Sequence, residues 1–167
     1  MHTNLVSVQI INIFVQLLYR INMRQLLFAF AFLLTMIVTV NAQADKIIGK
    51  WKTIDDKDGS AKSIVYIFKA TNGRYYGKID KMFKDSEKRC VECEGTNKNQ
   101  PILGMTIINN LIEKDNKLTG GTILDPKNGK IYKCNLSIEK DGDKLIVRGS
   151  LDKSGWIGRS QTWIRVK

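Results

Sequence analysis

The sequence is almost free of histidine: the single copy, His2, stands at the second position, ahead of an apolar leader. Without that leader the chain has no imidazole. This excludes Ser-His-Asp and Cys-His nucleophilic catalysis, which need an imidazole to carry the proton. It also removes the commonest metal ligand. Cysteine is scarce too, with three copies at Cys90, Cys93 and Cys134. With no histidine beside them, a four-ligand zinc site is short of donors. Beyond residue 44 no stretch of ten or more residues carries a strong helical apolar pattern, which argues against a helical bundle. These absences predict a protein with no recognisable catalytic constellation, no enzymatic activity, no bound metal and no cofactor.

What stands at the front is a targeting pattern. Met23-Arg24 is followed by an uncharged apolar run from Leu26 to Val40, then by Val40-Asn41-Ala42. A positive start, an apolar centre and a small-residue exit are the parts of a secretory signal peptide. Cleavage is expected after Ala42, with Ala44 as the alternative site. The run is shorter than the roughly 18–20 residues of a membrane span, and no cysteine follows it to carry a lipid. The expected organisation is an upstream extension over 1–22, a signal peptide over 23–42 and one domain over 43–167. The alternative for the front is a membrane hairpin of two apolar segments, 5–18 and 26–40. The first of these is broken by Ser7, Gln9, Asn12 and Gln16. The expected location is periplasmic or secreted, with no stable membrane span after cleavage.

The remaining 125 residues suffice for one hydrophobic core. Removal of Arg20 and Arg24 lowers the net charge of +11 by two, to +9. The lysines are scattered through strands and turns rather than massed, which reads as a solvated surface and not as a specific nucleic-acid site. The same charge leaves open an anionic envelope component as a partner.

Short apolar segments alternate with turn clusters along the domain. Strands are expected over 47–54, 63–71, 74–83, 105–113, 117–124, 130–140, 144–151 and 157–166, with 105–113 the weakest because its apolar spacing also suits a helix. Asn72-Gly73 is the strongest short hairpin signal, since both residues tolerate the positive φ of a type I′ turn. Asp115-Asn116, the 125–129 cluster (with Pro126 and Gly129), Asp141-Gly142-Asp143 and 152–155 are further tight-turn compositions. Asp55-Asp56-Lys57-Asp58-Gly59 resembles a calcium loop only superficially. With Gly59 at the sixth position, the first ligand would be Ile54, so it reads as a hairpin turn. Period-2 patterning places Tyr132, Cys134, Leu136 and Ile138 on one face, and Leu145, Val147, Gly149 and Leu151 on another. Short connections pair sequential strands antiparallel. A meander of about eight strands then closes on itself to hide its edges. The fold class is all-β: a single antiparallel up-and-down meander closing into a small calycin-like barrel.

The long irregular segment 84–101 is expected to be a lid, a binding loop or a variable excursion. Within it Cys90 and Cys93 read as a disulfide in an exported protein. A redox motif or part of a metal site are the competing readings. Cys134 shares a face with apolar residues, so a buried free thiol is expected. Asp80, Glu113, Asp125 and Asp152 supply acids for a histidine-free hydrolase, but nothing places two of them together. Trp51, Trp156 and Trp163, with Tyr75, Tyr76 and Tyr132, either fill the barrel or stack on a ligand. On the last strand Arg159, Gln161, Trp163 and Arg165 share a face, and two arginines flanking a tryptophan suit an anionic or planar ligand.

Two resemblances follow from these residues. Gly49-x-Trp51, Gly77-x-Ile79, Pro101-Ile102-Leu103-Gly104, Gly120-Gly121-x-Ile123-x-Asp125-Pro126, Gly129-x-x-Tyr132, Arg148-Gly149 and Gly158-Arg159-x-Gln161-Thr162-Trp163-x-Arg165 resemble domain-of-unknown-function family 2147. That is a set of small exported bacterial proteins with no assigned activity. More distantly, Gly49-Lys50-Trp51 with an arginine on the last strand is similar to the lipocalin and avidin superfamily. That resemblance implies a tryptophan, here Trp51, plugging one barrel end, and an arginine, Arg159 or Arg165, packed across it. The functional expectation is a binding protein for a small apolar or anionic ligand, with Trp51, Arg159, Gln161, Trp163 and Arg165 as candidate ligand residues. Trp51 and the Trp163 strand are expected at one end and the 84–101 loop near a mouth. The alternative is an envelope module that binds a protein or an anionic polymer with its outer surface.

Overall fold

Turn chemistry and two-residue periodicity build eight strands, joined almost throughout by tight turns. The structure is a computed structural model that describes residues 9, 12, 15–16, 45–56, 58–151 and 157–167. The chain falls into two compact units, 1–40 and 41–167. In the first, the described residues Gln9, Asn12, Val15 and Gln16 are helical. The expected signal peptide, together with Asp152 and Trp156, lies outside the described residues.

A 3-10 turn, Asp45–Ile47, leads into β1 (Gly49–Ile54), β2 (Ala61–Lys69), β3 (Tyr75–Met82), β4 (Thr106–Lys114), β5 (Lys117–Leu124), β6 (Ile131–Ile138), β7 (Lys144–Ser150) and β8 (Gly158–Arg165). Each strand pairs antiparallel with the next, and β8 pairs back onto β1 through Trp51 opposite Arg165. The sheet is a closed barrel, so no edge is left to pair with another chain. The 105–113 segment is strand, as expected, with Asn110 at φ 60 interrupting its pairing to β3. Opposite that irregularity, Gly77 leaves room for Ile108, whose side chain would lie 3.0 Å from an added Cβ.

The type I′ turn does not form where the sequence points most strongly. At Asn72-Gly73 the Gly73 N–H donates to the Ala70 carbonyl at 2.9 Å, and only Gly73 has positive φ. Asn72 Oδ1 instead accepts from the Arg74 N–H at 3.0 Å. This local side-chain bond favours a longer turn over a two-residue one. The two-residue turn is Asp115-Asn116, with φ of 50 and 59 and Lys114 paired to Lys117. The 55–60 cluster is a hairpin turn, closed by Asp55 N–H to Ser60 O at 2.8 Å.

The interior has two halves. At one end the barrel is packed solid by Trp51, Val65, Ile67, Tyr75, Leu111, Leu118, Leu136 and Leu145, all essentially inaccessible. Trp51 Nε1 donates to the Ile47 carbonyl at 2.8 Å. The Arg165 guanidinium sits 4.2 Å from the Trp51 ring centroid. Its Nε donates to the Gly142 carbonyl at 2.7 Å, and its Nη2 donates to the Lys46 carbonyl. One side chain therefore ties the leading turn, the β6–β7 turn and the tryptophan together. Such stacking contributes about 0.5–2 kcal/mol beyond the hydrogen bonds. Between the two arginines left open by the sequence, the one packed across the tryptophan is Arg165, because register places it directly opposite Trp51.

The segment between β3 and β4 is an ordered excursion. Cys90 and Cys93 form a disulfide, and the Arg89–Pro101 bridge and a 3-10 turn, Gly95–Asn97, fold the segment on itself. Both cysteines are buried. The segment docks on the β5–β6 turn: the Glu92 carbonyl oxygen lies where a Cβ on Gly129 would be, 1.8 Å away. Gly129 has φ 69, so the position is closed to other residues by backbone conformation as well as by space.

Cys134 is a buried free thiol on the inner face of β6. Burial pushes its pKa from 9.0 up to about 12. Desolvation penalises the thiolate, so the folded protein keeps the proton that the unfolded chain releases near pH 9. The stabilising contribution is therefore complete below pH 9 and is lost as pH rises towards 12. Comparing wild type with Cys134→Ala by urea denaturation, the stability advantage of wild type is expected to shrink by about 1.4 kcal/mol per pH unit above pH 9. A pH-independent difference would contradict the assignment.

Candidate functional site

At the other end the barrel is hollow. Inward-facing residues of β3, β4, β5, β7 and β8 (Ile79, Ile107, Ile123, Val147 and Trp163) form an apolar wall around a cavity of about 770 Å3. Gly149 faces the same space and keeps it wide. An added Cβ there would be no closer than 3.6 Å to any neighbour, the nearest being Tyr132. Trp163 is buried between the packed half and the cavity, and its Nε1 donates to Gln161 Oε1 at 3.4 Å.

The cavity mouth is ringed by the turns at this end: 55–60 between β1 and β2, 125–130 between β5 and β6, and the start of β8. Its rim is polar. Gln161 Nε2 donates to Asp56 Oδ2 at 2.8 Å, and Arg159 Nη2 donates to the same oxygen. Thr53 and Ser63 share a hydrogen bond at 2.8 Å, and Lys62 pairs with Asp55 at 2.7 Å. Tyr132 Oη accepts from Asn128 Nδ2 at 3.2 Å, while Asp125 Oδ1 accepts from the Lys127 N–H in its own turn. The rim thus mixes charges of both signs above an apolar interior, with Asp55 paired to Lys62 and Asp56 to Arg159.

The five candidate ligand residues separate into two groups. Arg159, Gln161 and Trp163 line the cavity. Trp51 and Arg165 belong to the packed end, where their mutual contact closes the barrel. The expectation that Trp51 and the β8 tryptophan share one end is corrected accordingly. The β8 row runs the length of the barrel, since its inward positions are two residues apart and rise along the axis. The disulfide segment reaches the cavity side, because it packs on the turn that carries Asp125 and Asn128.

Among the described residues, the acids considered for hydrolysis are not brought together; Asp152 lies outside them. Asp80 is on the outer surface, paired with Lys50 at 2.8 Å. Glu113 lies near the packed end, with Tyr75 Oη donating to it at 3.4 Å. Asp125 is at the cavity rim. Among the aromatics, Tyr75 fills the core and Tyr132 lines the cavity. Tyr76 faces outward, stacked on Phe68 with centroids 6.0 Å apart. The sequence reading missed Asp56 as a site residue. Its turn composition was visible, but its reach across the mouth to β8 was not.

This architecture matches a known sequence family. The family described as "uncharacterized protein conserved in bacteria (DUF2147)" matches residues 49–165, from the first residue of β1 to the last of β8. The chain belongs to this family. The family description carries no activity. A solved structure of a Helicobacter pylori protein, described as belonging to the lipocalin family, is similar to this chain with a TM-score of 0.63 and 24% identity. The likeness covers 72% of this chain and 82% of that one, and it shows a lipocalin-like fold. No curated protein matches the chain. The family match spans the whole barrel, and so takes in both the packed end and the cavity.

Proposed function

We propose that this protein is an exported, non-enzymatic binding protein that holds one small ligand with an apolar body in the open half of its barrel. The observation that carries the reading is the division of the interior. One half is packed to exclusion, while the other holds a cavity of about 770 Å3, open at its mouth, whose lining runs from the apolar Ile79, Ile107, Ile123, Val147 and Trp163 to the polar rim. Ligand sites are typically about 300–1,000 Å3, mostly apolar, with a few polar groups at fixed places. A barrel of this fold needs no such space for stability, since each unfilled volume forfeits packing. The signal-like leader and the disulfide are consistent with export to an oxidising compartment. The separation of Asp80, Glu113 and Asp125 supports binding without hydrolysis.

Native mass spectrometry of protein purified from its own source tests the proposal. One low-mass apolar or amphiphilic compound per chain, released on denaturation, is the expected result. A protein that arrives empty and takes up no apolar probe at micromolar concentration would overturn it.

A further inference from the structure

The rim of the cavity carries more information than its walls. Arg159 and Gln161 project inward from β8, two residues apart, and both donate to one oxygen, Asp56 Oδ2. They form a two-donor cradle for a carboxylate, and the carboxylate that now sits in it belongs to the protein. Asp56 lies on the exposed β1–β2 turn, whereas its two donors are fixed on a strand of the barrel. The other acids of the rim are engaged elsewhere, Asp55 with Lys62 and Asp125 with its own turn.

We infer that Asp56 is an internal placeholder for the anionic head of the ligand, so that the cavity selects amphiphiles with an apolar body and a single carboxylate. The inference rests on the proposed function, since it requires the apolar body to enter the cavity below. On binding, the ligand carboxylate takes the Arg159 and Gln161 donors and Asp56 swings into water with its turn. The exchange is close to isoelectric at the cradle: one carboxylate leaves as another arrives. Its net cost is small because Arg159 and Asp56 are both partly exposed, with side chains 68% and 38% accessible, and exposed ion pairs are weak. A neutral head group cannot replace the charge, so it leaves Asp56 in place and occupies only the apolar part.

Titration of the full chain with dodecanoate and with dodecanol, followed by calorimetry, separates these roles. Asp56→Ala is expected to strengthen dodecanoate binding by up to about fivefold, the weight of an exposed ion pair, and to leave dodecanol unchanged. Arg159→Ala is expected to weaken dodecanoate about tenfold, as loss of a charge-assisted hydrogen bond does, again with little effect on dodecanol. Asp58→Asn removes a charge from the same turn but not from the cradle, and is expected to leave both affinities as in wild type. Unchanged or weakened dodecanoate binding in Asp56→Ala, equal gains for both ligands, or an equal gain in Asp58→Asn would each overturn the placeholder role while the cavity function stands. If wild type binds neither compound, the cavity function falls with it.

Discussion

Replacing Trp51 by alanine is expected to destabilise the fold by about 3–5 kcal/mol, the range for removing a buried large aromatic. Three losses coincide. The ring is fully buried among the packed-end residues, and its removal leaves a cavity bordered by strands that are locked by hydrogen bonds. The Ile47 carbonyl loses its indole donor. The Arg165 guanidinium loses the ring beneath it. Trp51→Phe keeps an aromatic face but not the donor, and is expected to cost about 1–3 kcal/mol, the penalty of an unsatisfied buried acceptor. Urea denaturation with an unchanged m value checks both. If Trp51 were a ligand residue rather than a plug, the alanine variant would keep its stability and lose binding; the reverse is expected.

Gly129→Ala is expected to cost about 2–5 kcal/mol, more than a single added methyl normally does. The backbone at φ 69 charges about 1–2 kcal/mol to a residue with a Cβ. Overpacking adds about 1–3 kcal/mol, because the methyl would meet the Glu92 carbonyl carbon and oxygen, neither of which is the free end of a side chain. The chain escapes the clash by lifting the 88–102 excursion off the β5–β6 turn. Hydrogen exchange is therefore expected to speed up at the Cys90 and Ile102 amides, which donate to Gln100 and Lys88. Gly142→Ala is the control. It too has positive φ, 77, but nothing lies within 4 Å of its added Cβ, so it should show the backbone cost alone. Equal losses in the two variants would mean that the docking of the disulfide segment contributes nothing.

Much of this barrel is legible in the sequence. Strand 117–124 is bounded to the residue, and the alternation gives the inner faces of β6 (Tyr132, Cys134, Leu136, Ile138) and of β7 as far as Gly149, because a two-residue period survives in any half-buried strand. The alternation fails at the end of β7, where Ser150 is buried and Leu151 is exposed. The Cys90–Cys93 disulfide is the leading reading of a Cys-x-x-Cys pair in a chain expected to be exported, and the pair is present. What local pattern could not carry was distance in the fold. Asp56 and Gln161 are 105 positions apart, and no composition rule links a turn acid to a strand amide that far along the chain. The choice between Arg159 and Arg165 turned on register across the β1–β8 closure, the longest-range pairing in the sheet. The turn at Asn72-Gly73 was misjudged for the opposite reason, since a side-chain bond of Asn72 outweighs the dipeptide preference. The two ends also looked alike in sequence: both are apolar inside, and only side-chain volume, with Gly149 facing the hollow half, distinguishes them.

The claim that the open half of the barrel is a binding site is tested most directly at Gly149. Its added Cβ meets nothing closer than 3.6 Å and its φ is not positive, so Gly149→Leu extends a side chain into the cavity without backbone strain. Calorimetric titration with dodecanoate is expected to give one site per chain in wild type and no measurable binding in Gly149→Leu, with stability equal to wild type or raised by the added apolar contact. Undiminished binding by a folded Gly149→Leu would place the ligand elsewhere and contradict the account.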